Sequence, residues 1–180
     1  MSRQESRPEL SGSELRQRLI YSDEALLAEC RIDTYRSSGP GGQHRNKVSS
    51  AIRLRHERSG LVTTGTGSRS QHENKARALS RLREAIALAA RAPLQRPVTW
   101  PENVLVRDGR LRVSERNPSR HEAVALVLDA LVENGLQPRP AAEALGLTSS
   151  SLTRFLLEHP KAWVALNQMR AERGLPPLRA

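Results

Sequence analysis

Cys30-Arg31-Ile32-Asp33-Thr34-Tyr35, then Arg36-Ser37-Ser38-Gly39-Pro40-Gly41-Gly42-Gln43-His44-Arg45-Asn46-Lys47, then Ala51-Ile52-Arg53-Leu54-Arg55-His56 frame a glycine-rich loop with two alternating segments. Cys30, Ile32 and Thr34 alternate with Arg31, Asp33 and Tyr35, and Ile52 and Leu54 with Arg53 and Arg55. A period of two puts one set of side chains on a common face, so both segments are expected to be half-buried strands. Between them Gly39, Gly41 and Gly42 surround Pro40. Glycine permits positive φ and close approach of backbone to a ligand, and proline restricts the loop, so its tip can present main-chain N–H groups. Taken alone, such a loop is more often an ordinary surface turn. The spacing Gly-x-x-x-x-Gly-Lys-Ser/Thr is absent, which sets aside a phosphate-binding P-loop.

Working outward, residues 1–21 are polar and expected to be frayed, with a weak helical turn or two from Glu14 to Tyr21. Ser22 suits the N-cap of a short helix over 23–29, whose first turn is acidic as the helix dipole favours. On the other side, the turn Glu57-Arg58-Ser59-Gly60 leads into Leu61-Val62-Thr63-Thr64, making a hairpin with one basic face. After a loop over 65–70, Ala78, Leu82, Ala85, Ile86 and Ala89 recur at helical spacing, and that helix is expected to cover the sheet. Pro93 and Pro97 punctuate its end and mark 92–101 as a linker.

The second half begins with an expected small hairpin, Val104-Leu105-Val106 and Leu111-Arg112-Val113 about a tight Asp108-Gly109 turn. Ser119 is expected to cap a helix over 121–133 that stops at Asn134-Gly135, with further helices near 141–145, 149–157 and 161–173. Pro140 to Leu157 suits a helix-turn-helix, with Ala142 small, Gly146 at the turn, and Leu145, Leu147, Leu152 and Phe155 between the helices. Its exposed positions would be Ser149, Ser150, Ser151, Thr153 and Arg154. Helical bundles that bind nothing carry the same pattern, so a nucleic-acid reader and a packing module both stay open. The fold class is therefore α+β, a mixed domain followed by a mostly helical one. The segments are 1–21, flexible; 22–92, the loop-bearing domain; 93–117, a linker with the hairpin; and 118–180, the helical domain.

The formal charge is +10, and residues 30–92 hold 13 basic and 4 acidic side chains, so nearly all the excess sits around the loop. A polyanionic partner, nucleic acid first, is the expectation. Only five aromatic residues occur, too few for a stacking platform that grips single strands, so contact with backbone phosphate is expected instead. One cysteine forms no internal disulfide, and the five histidines lack metal-ligand spacing. The N-terminus lacks the apolar core of a signal peptide, and the longest apolar run, Ala85 to Ala90, is too short to span a bilayer. A cytoplasmic, soluble monomer without metal or cofactor, and without membrane contact, is expected.

The motifs resemble the catalytic domain of class-I peptide chain release factors and the related ribosome-rescue hydrolases. The likeness takes in Arg36-Ser37-Ser38-Gly39-Pro40-Gly41-Gly42-Gln43, Asn46-Lys47, Ala51-Ile52-Arg53-Leu54-Arg55-His56 and Ser59-Gly60-Leu61. It continues through Arg69-Ser70-Gln71-His72-Glu73-Asn74-Lys75 and Ala78-Leu79, in all about residues 22–91. The resemblance implies a β-α-β-β-α domain whose tip enters the peptidyl transferase centre, with Gly41, Gly42 and Gln43 catalytic. Hydrolysis of the peptidyl-tRNA ester needs a positioned water and stabilisation of charge on oxygen, for which the Gln43 main-chain N–H is a suitable donor. The side-chain amide shapes the water site, since a carboxamide is neither acid nor base at useful pKa. Arg36, Arg45, Lys47, Arg53, Arg55, Arg69, Lys75, Arg77 and Arg81 are expected to meet ribosomal RNA phosphates, and Arg154 to do so from the helical domain. Arg45 departs from the small apolar residue that relatives usually carry.

Release factors read stop codons with a domain ahead of the catalytic one, and about 20 residues precede the matching region here, so codon reading is not expected. Rescue hydrolases carry a basic disordered tail, whereas residues 93–180 are patterned and mildly basic. The leading reading is a ribosome-dependent, codon-independent peptidyl-tRNA hydrolase acting on stalled ribosomes. Alternatives are a ribosome- or RNA-binding protein without hydrolysis and, third, a helix-turn-helix regulator of transcription.

Overall fold

The computed structural model describes residues 9–36 and 50–179. The chain forms two compact units, Met1–Ile86 and Ala87–Ala180.

The first unit opens with helix α1 (Gly12–Gln17), a 3₁₀ turn (Arg18–Ile20) and helix α2 (Asp23–Ala28). Ser11 Oγ accepts from Glu14 N–H at 3.2 Å while the Glu14 carboxylate accepts from Ser11 N–H at 2.8 Å, a reciprocal capping box that fixes where α1 starts. Ser22 caps α2 with its Oγ alone, which accepts Ala25 N–H at 3.2 Å. The expectation of fraying is corrected for residues 11–20, because Leu15, Arg18 and Leu19 are buried. Two leucines four apart on a short polar helix supply enough apolar area to dock it.

Strands β1 (Cys30–Tyr35), β2 (Ala51–His56) and β3 (Val62–Gly65) make an antiparallel sheet in the order β1-β2-β3. β2 is central, so Ile52 and Leu54 are buried, whereas edge position leaves Ile32 40% exposed and Thr34 exposed. Alternation holds for β2, whereas in β1 Ile32 and Thr34, register partners of Leu54 and Ile52, are exposed and Asp33 and Tyr35 are half-buried, because β1 is an edge strand. Helix α3 (Gln71–Ala89) packs tightly on β3: Thr63 Oγ1 donates to the Ala78 carbonyl at 2.9 Å, and a Cβ on Gly65 would overlap the Asn74 carbonyl. Leu26, Leu54, Leu82 and Ile86 centre this core. The described order is two short helices with a 3₁₀ turn between them, three strands and a long helix; residues 37–49, between β1 and β2, lie outside the described residues.

In the second unit β4 (Leu105–Arg107) and β5 (Arg110–Arg112) pair about Asp108 and Gly109, both at positive φ as an Asp-Gly turn of this kind requires. Helices α4 (Arg120–Glu133), α5 (Pro138–Ala144), α6 (Ser149–Leu157) and α7 (Pro160–Glu172) follow. Leu128, Leu131, Leu136, Leu152, Leu156 and Leu166 are fully buried among them. α5 starts three residues earlier than the apolar pattern indicates, because a proline at the first helical position forgoes an N–H that would be unpaired there. Ser119 does not cap α4 with its side chain; its N–H instead donates to Asn117 Oδ1 at 2.8 Å. Within 92–101, read as a linker, Ala92 and Leu94 N–H groups donate to Asp129 Oδ1 and Glu133 Oε2, which lays this stretch along α4. The helix-turn-helix core is as expected: Leu145, Leu147, Leu152 and Phe155 are buried and Gly146 turns at φ +68°.

Candidate functional site

The residues of greatest interest, Gly41, Gly42 and Gln43, lie outside the described residues, as do Arg45 and Lys47. The described structure supplies the base on which their loop stands. Tyr35 and Ala51 are register partners, so the chain leaves β1 and rejoins β2 at neighbouring positions. Ser50 Oγ donates to the Ser68 carbonyl at 3.0 Å. Asn74, fully buried, donates from Nδ2 to the carbonyls of Ser50 (2.7 Å) and Ser68 (2.9 Å) and accepts Ser68 N–H at 3.1 Å through Oδ1. One amide thus ties the point where the loop rejoins the sheet to the connection between β3 and α3. Truncating it would take their partner from the half-buried Ser50 carbonyl and Ser68 N–H, while the Ser68 carbonyl keeps the Ser50 hydroxyl, a cost of about 1–3 kcal/mol. Sequence reading quoted Asn74 within a motif but gave it no role. A signal existed, because Asn74 shares the buried helical stripe of Ala78 and Leu82.

A second polar network joins α1, α2 and the end of β2. Arg18 donates to both Glu29 carboxylate oxygens at 3.1 Å, and His56, wholly buried, contacts Glu29 Oε2 and Ser59 Oγ, each at 2.8 Å. Partial burial pushes the Glu29 carboxyl upward, but the hydrogen bonds from Arg18 and His56 outweigh it and hold the group below the ordinary carboxylate range. The same hydrogen bond raises Arg18. Cys30 is no candidate nucleophile: burial, then the Glu29 and Glu57 charges, push its thiol up to about 11, and Sγ donates to the Leu26 carbonyl. Among the described residues no group of three or more His, Cys, Asp or Glu could hold a metal ion. No described helix is long and apolar enough to cross a membrane.

Of the basic residues singled out by sequence, Arg36, Arg53, Arg55, Arg69, Arg77, Arg81 and Arg154 are exposed, and Lys75 is half-buried. Arg53 and Arg55 share one face of β2; Arg55 lies opposite Arg31, which sequence reading did not single out, and Arg53 stacks over the Tyr35 ring at 5.1 Å. Two adjacent strands therefore present Arg31, Arg53 and Arg55 together. Arg77 and Arg81 have local duties, donating to the carbonyls of Thr66 (3.0 Å) and Thr64 (2.6 Å) respectively. Arg154 belongs to the second unit, on α6.

A small antiparallel sheet backed by one long helix flanks the segment that holds Gly41, Gly42 and Gln43. The RF-1 domain family matches residues 24–118, over half of the chain, and the chain belongs to that family. It is similar to peptide chain release factor 2 of Aromatoleum aromaticum, 57% identical over 56 residues, which are 31% of this chain and 15% of that protein. It is likewise similar to peptide chain release factor 1 of Leptothrix cholodnii, 57% identical over 63 residues, 33% of this chain and 18% of that protein. The matches thus span less than a fifth of the length of these relatives.

Proposed function

We propose that this protein hydrolyses the ester joining a nascent peptide to transfer RNA, on the ribosome and without a stop codon, releasing peptides from stalled complexes. The observation that carries the reading is the Gly41-Gly42-Gln43 loop inside a stretch that belongs to the RF-1 domain family. The Asn74 clamp at the root of that loop gives it physical support, since placing a reactive tip deep in a partner rewards a rigid base. In this reading a water attacks the ester carbonyl, the Gln43 main-chain N–H donates to the oxygen that gains charge, and the bond to the tRNA ribose breaks. The products are a peptide carboxylate and a tRNA hydroxyl. Arg31, Arg36, Arg53 and Arg55, with Arg45, Lys47, Arg69 and Lys75, face ribosomal RNA phosphate. Residues 22–92 form the catalytic domain, 93–117 a connecting segment with the hairpin, and 118–180 a helical domain, in a cytoplasmic protein that works as a monomer with the ribosome as partner.

Release of labelled peptide from purified ribosomes tests this, with peptidyl-tRNA held on an mRNA either truncated at the P site or carrying a stop codon. Release on the truncated mRNA, with no advantage for the stop codon, is the expected result. Dependence on the stop codon overturns the codon-independent part, and binding without release on either template overturns the hydrolase reading in favour of an RNA-binding one.

A further inference from the structure

The second unit contains a cavity of about 580 Å³ between β5 and the start of α6. Its lining includes Arg110, Arg112 and Arg154 with the hydroxyl residues Thr148 and Ser150, and one carboxylate, Glu158. The walls are fixed. Leu111 N–H donates to Ser151 Oγ at 2.9 Å, Thr148 N–H donates to the Gly109 carbonyl at 2.9 Å, and a Cβ on Gly109 would press on Thr148. The hairpin is therefore bonded to the turn of the helix-turn-helix, and alternation along β5 places Arg110 and Arg112 on one side with Leu111 on the other.

The charge here is uncompensated. Arg91, Arg96 and Arg139 in the same unit pair with Asp129, Glu133 and Glu143, whereas Arg110, Arg112 and Arg154 have no ion pair or side-chain hydrogen bond among the described residues. Three guanidinium groups held around a concave polar space, against a single carboxylate, raise the local potential, and planar guanidinium forks match phosphate oxygens. The N-terminal end of α6 opens into the same space and adds to the field, although the arginines are what distinguish the site.

We infer that this cavity binds backbone phosphate of RNA, making the helical unit an RNA-binding element with Arg110, Arg112 and Arg154 as its contacts. The inference extends the RNA contact expected of Arg154 from the sequence and does not depend on ester hydrolysis. RNA is favoured over a DNA operator by the residues at hand: serine and threonine hydroxyls suit ribose and phosphate, and α6 offers no Asn or Gln in its first turn to discriminate bases.

The test uses the full chain and fluorescence anisotropy with a labelled RNA hairpin, a duplex DNA of equal length, and a salt series. The triple variant Arg110→Gln, Arg112→Gln, Arg154→Gln is compared with Arg116→Gln, Arg173→Gln, Arg179→Gln, which removes equal charge elsewhere in the unit. Melting curves confirm that both fold. The expected result is a loss of RNA affinity of about tenfold or more for the cavity variant only, with the log–log salt slope smaller by roughly two to three. Equal losses in the two variants, no loss in the cavity variant, or tighter binding of wild type to DNA than to RNA would each overturn the inference. Because peptide release is assayed separately, a protein that loses RNA affinity in this way yet never releases peptide keeps this inference while refuting the hydrolase.

Discussion

The two units differ in which of their charged side chains are left without partners. In the first, buried polar groups join elements far apart in sequence: Asn74 reaches Ser50, 24 residues away, and His56 reaches Glu29, 27 residues away. In the second, buried polar groups also bridge distant elements, Asp129 accepting from Ala92 N–H and Arg170 donating to the Leu136 carbonyl, but Arg110, Arg112 and Arg154 around the cavity have no ion pair among the described residues. A small sheet with a long loop has little apolar area to fix its geometry, so directional hydrogen bonds supply the positioning. Polar deletions in the first unit should therefore disturb function along with stability, whereas apolar deletions in the second should act through stability.

The largest effect belongs to the loop. Gly42→Ala is expected to slow peptide release on the order of 10²-fold or more with no change in melting temperature, as expected for loss of a transition-state donor's geometry; a matching loss of stability would mean that the loop is structural. Next, Phe155→Ala, removing a ring almost wholly buried between α5 and α6, is expected to cost roughly 3–5 kcal/mol by denaturant unfolding. Loss of the first unit's transition along with it would show that the two units do not unfold separately. Asn74→Ala sharpens the comparison most: about 1–3 kcal/mol of stability is expected to go, with release falling further than the unfolded fraction explains. Release that simply follows the folded fraction would reduce Asn74 to an ordinary core residue.

A smaller effect is set by pH. Glu29 has its folded pKa held below the unfolded one, so its ion pair with Arg18 stabilises the protein fully above the ordinary carboxylate pKa and loses that contribution as pH falls through the depressed folded value. Melting temperature followed from neutral to acid pH should therefore fall less steeply in Glu29→Gln than in wild type. Parallel curves would exclude Glu29 as the source. His159 acts in the same sense in the other unit: burial, together with the charge of Arg120, lowers its pKa, so the unfolded chain takes up the proton first as pH falls below the usual histidine value.

Much of the fold was legible because it follows from periodicity. β1, β2 and α6 stand where alternation and helical spacing put them, and Gly146 and Asp108-Gly109 mark turns whose backbone they fit. What escaped reading depends on contacts between distant residues. No local pattern indicates that Arg18 pairs with Glu29, which is why the N-terminal turns looked frayed. Nor does alternation say that β1 would be the edge and leave Ile32 exposed. Nothing in the hairpin pattern singles out Arg110 and Arg112; only the hydrogen bonds from the hairpin to Thr148 and Ser151 reveal that they share a cavity with Arg154. Of the candidate site, the tripeptide Gly41-Gly42-Gln43 was legible from motif order alone, whereas the Asn74 hydrogen bonds at Ser50 and Ser68 required the fold.

The most direct test of the central claim is single-turnover hydrolysis of peptidyl-tRNA on ribosomes stalled at the end of a truncated mRNA, with wild type and Gly42→Ala at saturating concentration. Rapid release by wild type, with the variant bound equally but nearly inert, is the predicted result. Equal release by both proteins, or none by either while both stay bound, would contradict it.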